Sequence, residues 1–191
     1  MNAKVAVLVV LSGLAIAFGS YLVFQNPTWS GANANTVVAT TSQTIMNAIN
    51  GAQPNEEAVI AKWFAPLTSF TLGRISLQAS VADTEAEREQ GLSDTPYIPA
   101  GIAKLFIFDS AQQWSFWMKD MKYAIDIFWL DENGHVVHIV ESVTPDTYPN
   151  TSFAPPVPAK YVIETKAGFA KENNIRVGEV AGMTQILMER Q

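Results

Sequence analysis

Apolar positions in this chain follow two patterns. From Val5 to Phe24 they run together, twenty residues without a charge, interrupted only by Ser12, Gly13, Gly19, Ser20 and Tyr21. As a helix such a block spans roughly 30 Å, the thickness of a bilayer's hydrocarbon core, and it offers no polar face to water. Further along, the apolar positions alternate. In Arg74–Asp83, Ile75, Leu77, Ala79 and Val81 fall on one face and Ser76, Gln78 and Ser80 on the other, the signature of a half-buried strand. Strand-like runs rich in aromatic and β-branched residues follow at Leu105–Phe108, Ser115–Lys119, Ile125–Leu130, His135–Val143 and Tyr161–Glu164, with a final one expected at Thr184–Met188.

The punctuation between these runs is readable. Thr84 and Glu87 have the spacing of a capping box, with Gly91 placed to end a short helix over Thr84–Gln90. Asp131-Glu132-Asn133-Gly134 joins two strand runs, and its Asn-Gly pair predicts a hairpin. A Pro-rich loop covers Thr144–Pro158, and a second short helix is expected near Gly168–Glu172. Many short strands with two brief helices predict a mainly β domain, either a compact β-sandwich or a partly closed barrel, preceded by one N-terminal transmembrane helix. The expected organisation is a membrane segment over 1–24, a linker over 25–69 and the β-rich domain over 70–191. The linker carries no formal charge between Gln25 and Asn55; within it Thr36–Ala48 is a marginal helix, and Ala58–Phe64 reads as a short helix leading into the domain.

Charge orients the leader and excludes some functions. Lys4 precedes the apolar block and no Lys or Arg follows until Lys62, so the N-terminus stays inside and the rest crosses to the periplasm or cell surface. The length favours a retained anchor. The alternative is secretion after cleavage at Ala32-Asn33-Ala34, which ends ten residues past the block, far for a signal peptidase site. With 18 acidic against 12 basic residues and no basic run, nucleic acid is not an expected partner. Cysteine is absent, which removes disulfides, zinc–thiolate sites and a cysteine nucleophile. No serine elbow, Walker loop or dinucleotide fingerprint occurs, and the lone Gly168 reads as a helix start, so no cofactor is expected.

Four segments, VADTEAEREQGL (Val81–Leu92), SFWMKDM (Ser115–Met121), AIDIFWLDENGHVV (Ala124–Val137) and PAKYVIETKAGFAKENNIRVGE (Pro158–Glu179), together resemble the domain-of-unknown-function family 192 (DUF192) over roughly Ile75–Glu179. The resemblance implies a compact β-rich fold, often exported behind a signal or lipoprotein leader, and no biochemical activity. The chain departs from the family pattern in two places. Ser93-Asp94 stands where a Met and a basic residue usually follow Gly-Leu, and the Thr144–Pro158 loop lacks the cysteine many members carry.

Among candidate site residues Asp126 comes first, because a carboxylate between Ile125, Ile127 and Phe128 needs a partner. Arg88 and Lys119 are the expected cations. Such a pair either locks helix to sheet or polarises a ligand. In the Trp114–Met118 cluster, strand parity points Trp114, Phe116 and Met118 one way and Trp117 the other, which leaves Trp117 as the ligand-contacting aromatic beside Lys119. His135 and His138 lie three apart and face opposite sides of a strand, so no metal site is expected. The resulting expectation is a membrane-tethered domain that binds a small molecule, glycan or peptide of the cell envelope near Trp117, Lys119, Asp126 and Arg88. The alternatives are a hydrolase working through a carboxylate near Asp126, with Glu141 and Glu164 as further acids, and a scaffold for envelope proteins.

Overall fold

The computed structural model describes residues 55–190. The apolar block over 5–24 and the candidate helix over 36–48 lie outside the described residues. Within them no helix is long and apolar enough to cross a membrane.

Helix α1 (Glu56–Trp63) starts where the Asn55 side chain accepts a hydrogen bond from the Glu57 amide. Strands β1 (Leu67–Leu72) and β2 (Ile75–Ala82) then form an antiparallel pair, in which Phe70 faces Leu77. Next comes α2 (Glu85–Gln90), where the capping box between Thr84 and Glu87 is complete and Gly91 ends the helix at φ +49°. β3 (Ile102–Gln112) pairs parallel to β2, an arrangement that needs the long connection carrying α2. β4 (Ile125–Leu130) and β5 (Val136–Val143) are the expected hairpin. In its turn the Asp131 carboxylate accepts from the amides of Asn133 and His135, and Gly134 takes φ +80°. β6 (Ala159–Lys166), α3 (Phe169–Asn173), β7 (Ala181–Gly182) and α4 (Thr184–Met188) complete the chain.

All strands belong to one seven-stranded sheet, in the order β5-β4-β6-β3-β2-β1-β7. The sheet curls into a half-barrel, so of the two expected architectures the partly closed barrel is the one formed. A short segment near the end stitches the two edges together. On one side β7 pairs with β1 and Val180 accepts from the Gly73 amide; on the other, Gly178 donates to Val136, Val136 to Glu179 and Ala181 to Gly134. Side chains from all seven strands, among them Phe70, Leu77, Leu105, Phe128, Val136, Ile163 and Ala181, meet in one apolar cluster with Phe169 and Ile186. They can meet only in the hollow of the curl.

A second cluster lies on the opposite, outer face, where Phe106, Ile127, Trp129 and Val162 are covered by Val59 and Phe64 at α1 and by Leu92, Ile98 and Met118 from loops. Burial on both faces explains why β4 is buried at every position and why β2 loses its simple alternation, with Ser80 and Ala82 buried as well as Leu77 and Ala79.

Three expectations need correction. Ser115–Lys119 is not a ladder strand: its one bridge is Phe116 with Phe153, and the segment serves as an apolar cover over the outer face. Thr184–Met188 is helical; Met183, Ile186 and Leu187 have helical spacing toward the hollow, a stripe too short to distinguish from a strand run. With it the described residues of the domain, 70–190, hold three short α-helices rather than two, while α1 forms close to the helix expected at Ala58–Phe64.

Candidate functional site

The cavity that gathers most of the expected site residues sits on the outer face of the sheet. Its volume is about 170 Å³, and Arg88, Trp117 and Lys119 all line it. One wall is the end of α2 and the turn through Ser93. Gly91 belongs here because its positive φ suits glycine and an added Cβ would press on the Phe106 ring at 3.4 Å. The other wall is the Trp114–Met121 segment. Trp129 holds it from below, its indole Nε1 donating to Trp114 O at 2.9 Å, and Ser93 ties the walls together by donating to Lys119 O at 2.9 Å.

Parity within the covering segment follows the sequence expectation even without a ladder. Met118 is buried and Trp114 and Phe116 pack on the outer cluster, whereas Trp117 is 55% exposed and meets Tyr148 edge-on. Arg88 projects from α2; its Nη1 donates to Ile107 O at 2.9 Å and also to Asp83 O, and its guanidinium lies over the Phe108 ring. The Phe108 ring is also stacked on Trp114, with centroids 4.0 Å apart.

Asp126 is elsewhere. It is fully buried, but its strand parity matches Phe128 and Leu130 in the hollow, while Ile127 and Trp129 face the cavity side. The expected pairing with Arg88 or Lys119 is therefore not made, because the sheet stands between them. Asp126 instead accepts from three backbone amides: Oδ1 from Ser142 at 2.8 Å and Gly168 at 3.1 Å, and Oδ2 from Ala170 at 2.9 Å. It fastens β4 to β5, where Ser142 adopts φ +54°, and to the start of α3. Of the histidines, His135 lies beside Asp131 at 3.5 Å and the His138 ring packs against Trp129.

The cavity floor holds a group that the sequence reading placed only among possible hydrolytic acids. Glu164, on β6, is 4% exposed, lines the cavity and has an Oε2 atom without a hydrogen-bond partner among the described residues. Burial raises its carboxyl to about pKa 8, against a smaller lowering by Lys104. Lys104 faces Glu164 across the β3–β6 ladder, is itself buried, and donates to Ser80 Oγ at 3.2 Å. Burial lowers the Lys104 pKa, opposed by the attraction of Glu164. None of the ion pairs among the described residues uses Arg88, Lys104 or Lys119. The sequence signal for the Glu164–Lys104 pair was a charge inside each of two otherwise apolar runs, which only register could bring side by side.

Comparison with solved structures finds the same fold in proteins of remote sequence. A protein of unknown function from Novosphingobium aromaticivorans is 20% identical, with a TM-score of 0.58 over 68% of this chain and 99% of its own. A putative transcription regulator from Sinorhizobium meliloti is 22% identical, with a TM-score of 0.55 over 59% of this chain and 91% of its own. Comparison with curated proteins finds no match. The model of the DUF192 family, described as an uncharacterized ACR, matches residues 68–182.

Proposed function

Because the chain belongs to the DUF192 family of uncharacterized proteins, we propose a role from the site itself: a binding domain, tethered outside the cytoplasm by residues 5–24, that holds a small molecule or one sugar or peptide group in the outer-face cavity. The observation that carries this reading is the buried Glu164 carboxyl, whose Oε2 has no hydrogen-bond partner among the described residues, at a cavity shared with Arg88, Trp117 and Lys119. Leaving such a group without a partner costs about 1–3 kcal/mol. A fold retains that cost most readily where a ligand supplies the missing bond.

A catalytic Asp126 draws no support from the geometry, since three amides already hold its carboxylate on the other face of the sheet. The test is a fragment screen by thermal shift on the full-length chain in detergent, repeated with Trp117→Ala and Lys119→Ala. A ligand at a hundredfold excess over its Kd stabilises the native state by about 2.7 kcal/mol. Both variants should fold, and both should lose most of that shift. A shift unchanged in both would place the ligand somewhere else. Protease added to intact cells should digest the domain after the outer envelope is opened and before the inner membrane is breached; protection at that stage refutes the topology.

A further inference from the structure

We infer that the cavity takes a ring-sized organic carboxylate, bound between the buried Glu164 side chain and the cations Arg88 and Lys119, which form no ion pair among the described residues. The inference rests on the ligand-binding reading of the same cavity and adds the chemistry of the occupant.

Size is the first constraint. The volume is about 170 Å³, close to the roughly 150 Å³ of an engineered apolar cavity that admits one benzene. One ring with a small substituent fits; a chain of sugars or a folded peptide does not. The lining supplies the apolar part of the contact through Phe106, Phe108, Trp114 and Phe116.

Charge sets the sign. Glu164 is faced from β3 by Lys104, from β4 by the apolar Ile127 and from the segment before β4 by Tyr123, whose hydroxyl burial holds in its neutral form. From α2 come Arg88 and Glu89 at the cavity wall and Glu87, which acts on Lys104, and from the covering segment comes Lys119. The Glu87 carboxylate is committed to its capping box with Thr84, and Glu89 is exposed to solvent. The remaining balance is two cations lining the cavity, Arg88 and Lys119, with Lys104 across the ladder from a carboxyl that burial raises to about 8. A neutral carboxyl donates a hydrogen bond, and an anion is the strongest acceptor it can meet.

A cationic ligand would need open aromatic faces, and those of Phe108 and Phe116 are already used, which leaves the exposed Trp117. Phe108 meets both Arg88 and Trp114, while Phe116 meets Phe106, Phe108 and Trp129 edge to face. Incoming positive charge would also meet Arg88, Lys104 and Lys119.

Calorimetric titration of the full-length chain with benzoate, benzamide and benzylamine tests this. At pH 7 benzoate should bind about tenfold or more tightly than benzamide, the order of one charge-assisted hydrogen bond, and benzylamine most weakly. At pH 9 binding should take up protons, visible as a heat that changes with buffer. The benzoate Kd should rise about tenfold between pH 7 and pH 9 as Glu164 ionises. Glu164→Gln keeps a donor and removes the titration, so its benzoate Kd should be level across that range; Lys119→Ala should weaken benzoate by a larger factor than benzamide. Equal or tighter binding of benzamide or benzylamine overturns the anion assignment while leaving a binding cavity in place. No saturable binding of any of the three overturns the cavity reading itself.

Discussion

Ionising Glu164 in the folded protein should cost stability, and the cost should appear only over a defined pH range. Burial raises this carboxyl from an ordinary value near 4.5 to about 8. The folded state thus holds its proton at a pH where the unfolded chain has released it. Below pH 4.5 both states are protonated and the group contributes no difference; as pH rises from there, stability falls until the folded carboxyl ionises near pH 8, and then levels. At ~1.4 kcal/mol per pH unit the accumulated loss is about 5 kcal/mol, an upper bound because local relaxation softens it. Glu164→Gln has nearly the same shape and no titration. Urea unfolding of the full-length chain and the variant at pH 5, 6, 7, 8 and 9 reads the difference directly. The variant should gain relative stability steadily from pH 5 to 8 and little beyond. A difference that stays flat over that interval would refute the claim that a buried, unpartnered carboxyl sits at the cavity floor.

Asp126→Ala strips the acceptors from three backbone amides, two of them at the start of α3, and should cost at least ~3 kcal/mol in urea unfolding, as loss of a buried charged hydrogen-bond partner does; a loss under ~1 kcal/mol means those bonds are not made. Thr84→Ala opens the capping box on α2 and should cost ~1 kcal/mol. Amide exchange in α2 should rise with it, and unchanged protection there contradicts the cap.

Local chemistry was the part of the fold legible in the sequence. The Thr84–Glu87 cap, the Asn133-Gly134 turn and the strand at Ile75–Ala82 depend on residues close in the chain, and each forms, although burial on both faces breaks the strand's simple alternation at Ser80 and Ala82. What escaped was set by contacts between distant segments. Ser115–Lys119 has the composition of a strand, but it caps a face already paired from both sides. The Met183–Leu187 stripe spans barely one turn, too little for its period to show. At the candidate site, Arg88, Trp117 and Lys119 could be singled out because cations and an off-parity aromatic stand out in a line of residues; the structure places all three on one cavity. Asp126 was correctly marked as a buried acid in need of partners, yet the side of the sheet it would face and the amides it would find depend on register. Glu164 and Lys104 become a pair only when β3 lies against β6.

The stitching of both sheet edges by residues 178–182 bears on how the molecule is made. Before ribosomes deliver residue 178, β1 and β5 both expose bare peptide groups, and the curl has no fastener. Nascent polypeptide can therefore hold hairpins and a capped helix while staying unlatched, and assembly finishes as one late event triggered by a handful of residues. Damage to that clasp, rather than to the hydrophobic interior, is the change that would leave two sticky borders and invite chains to join edge to edge.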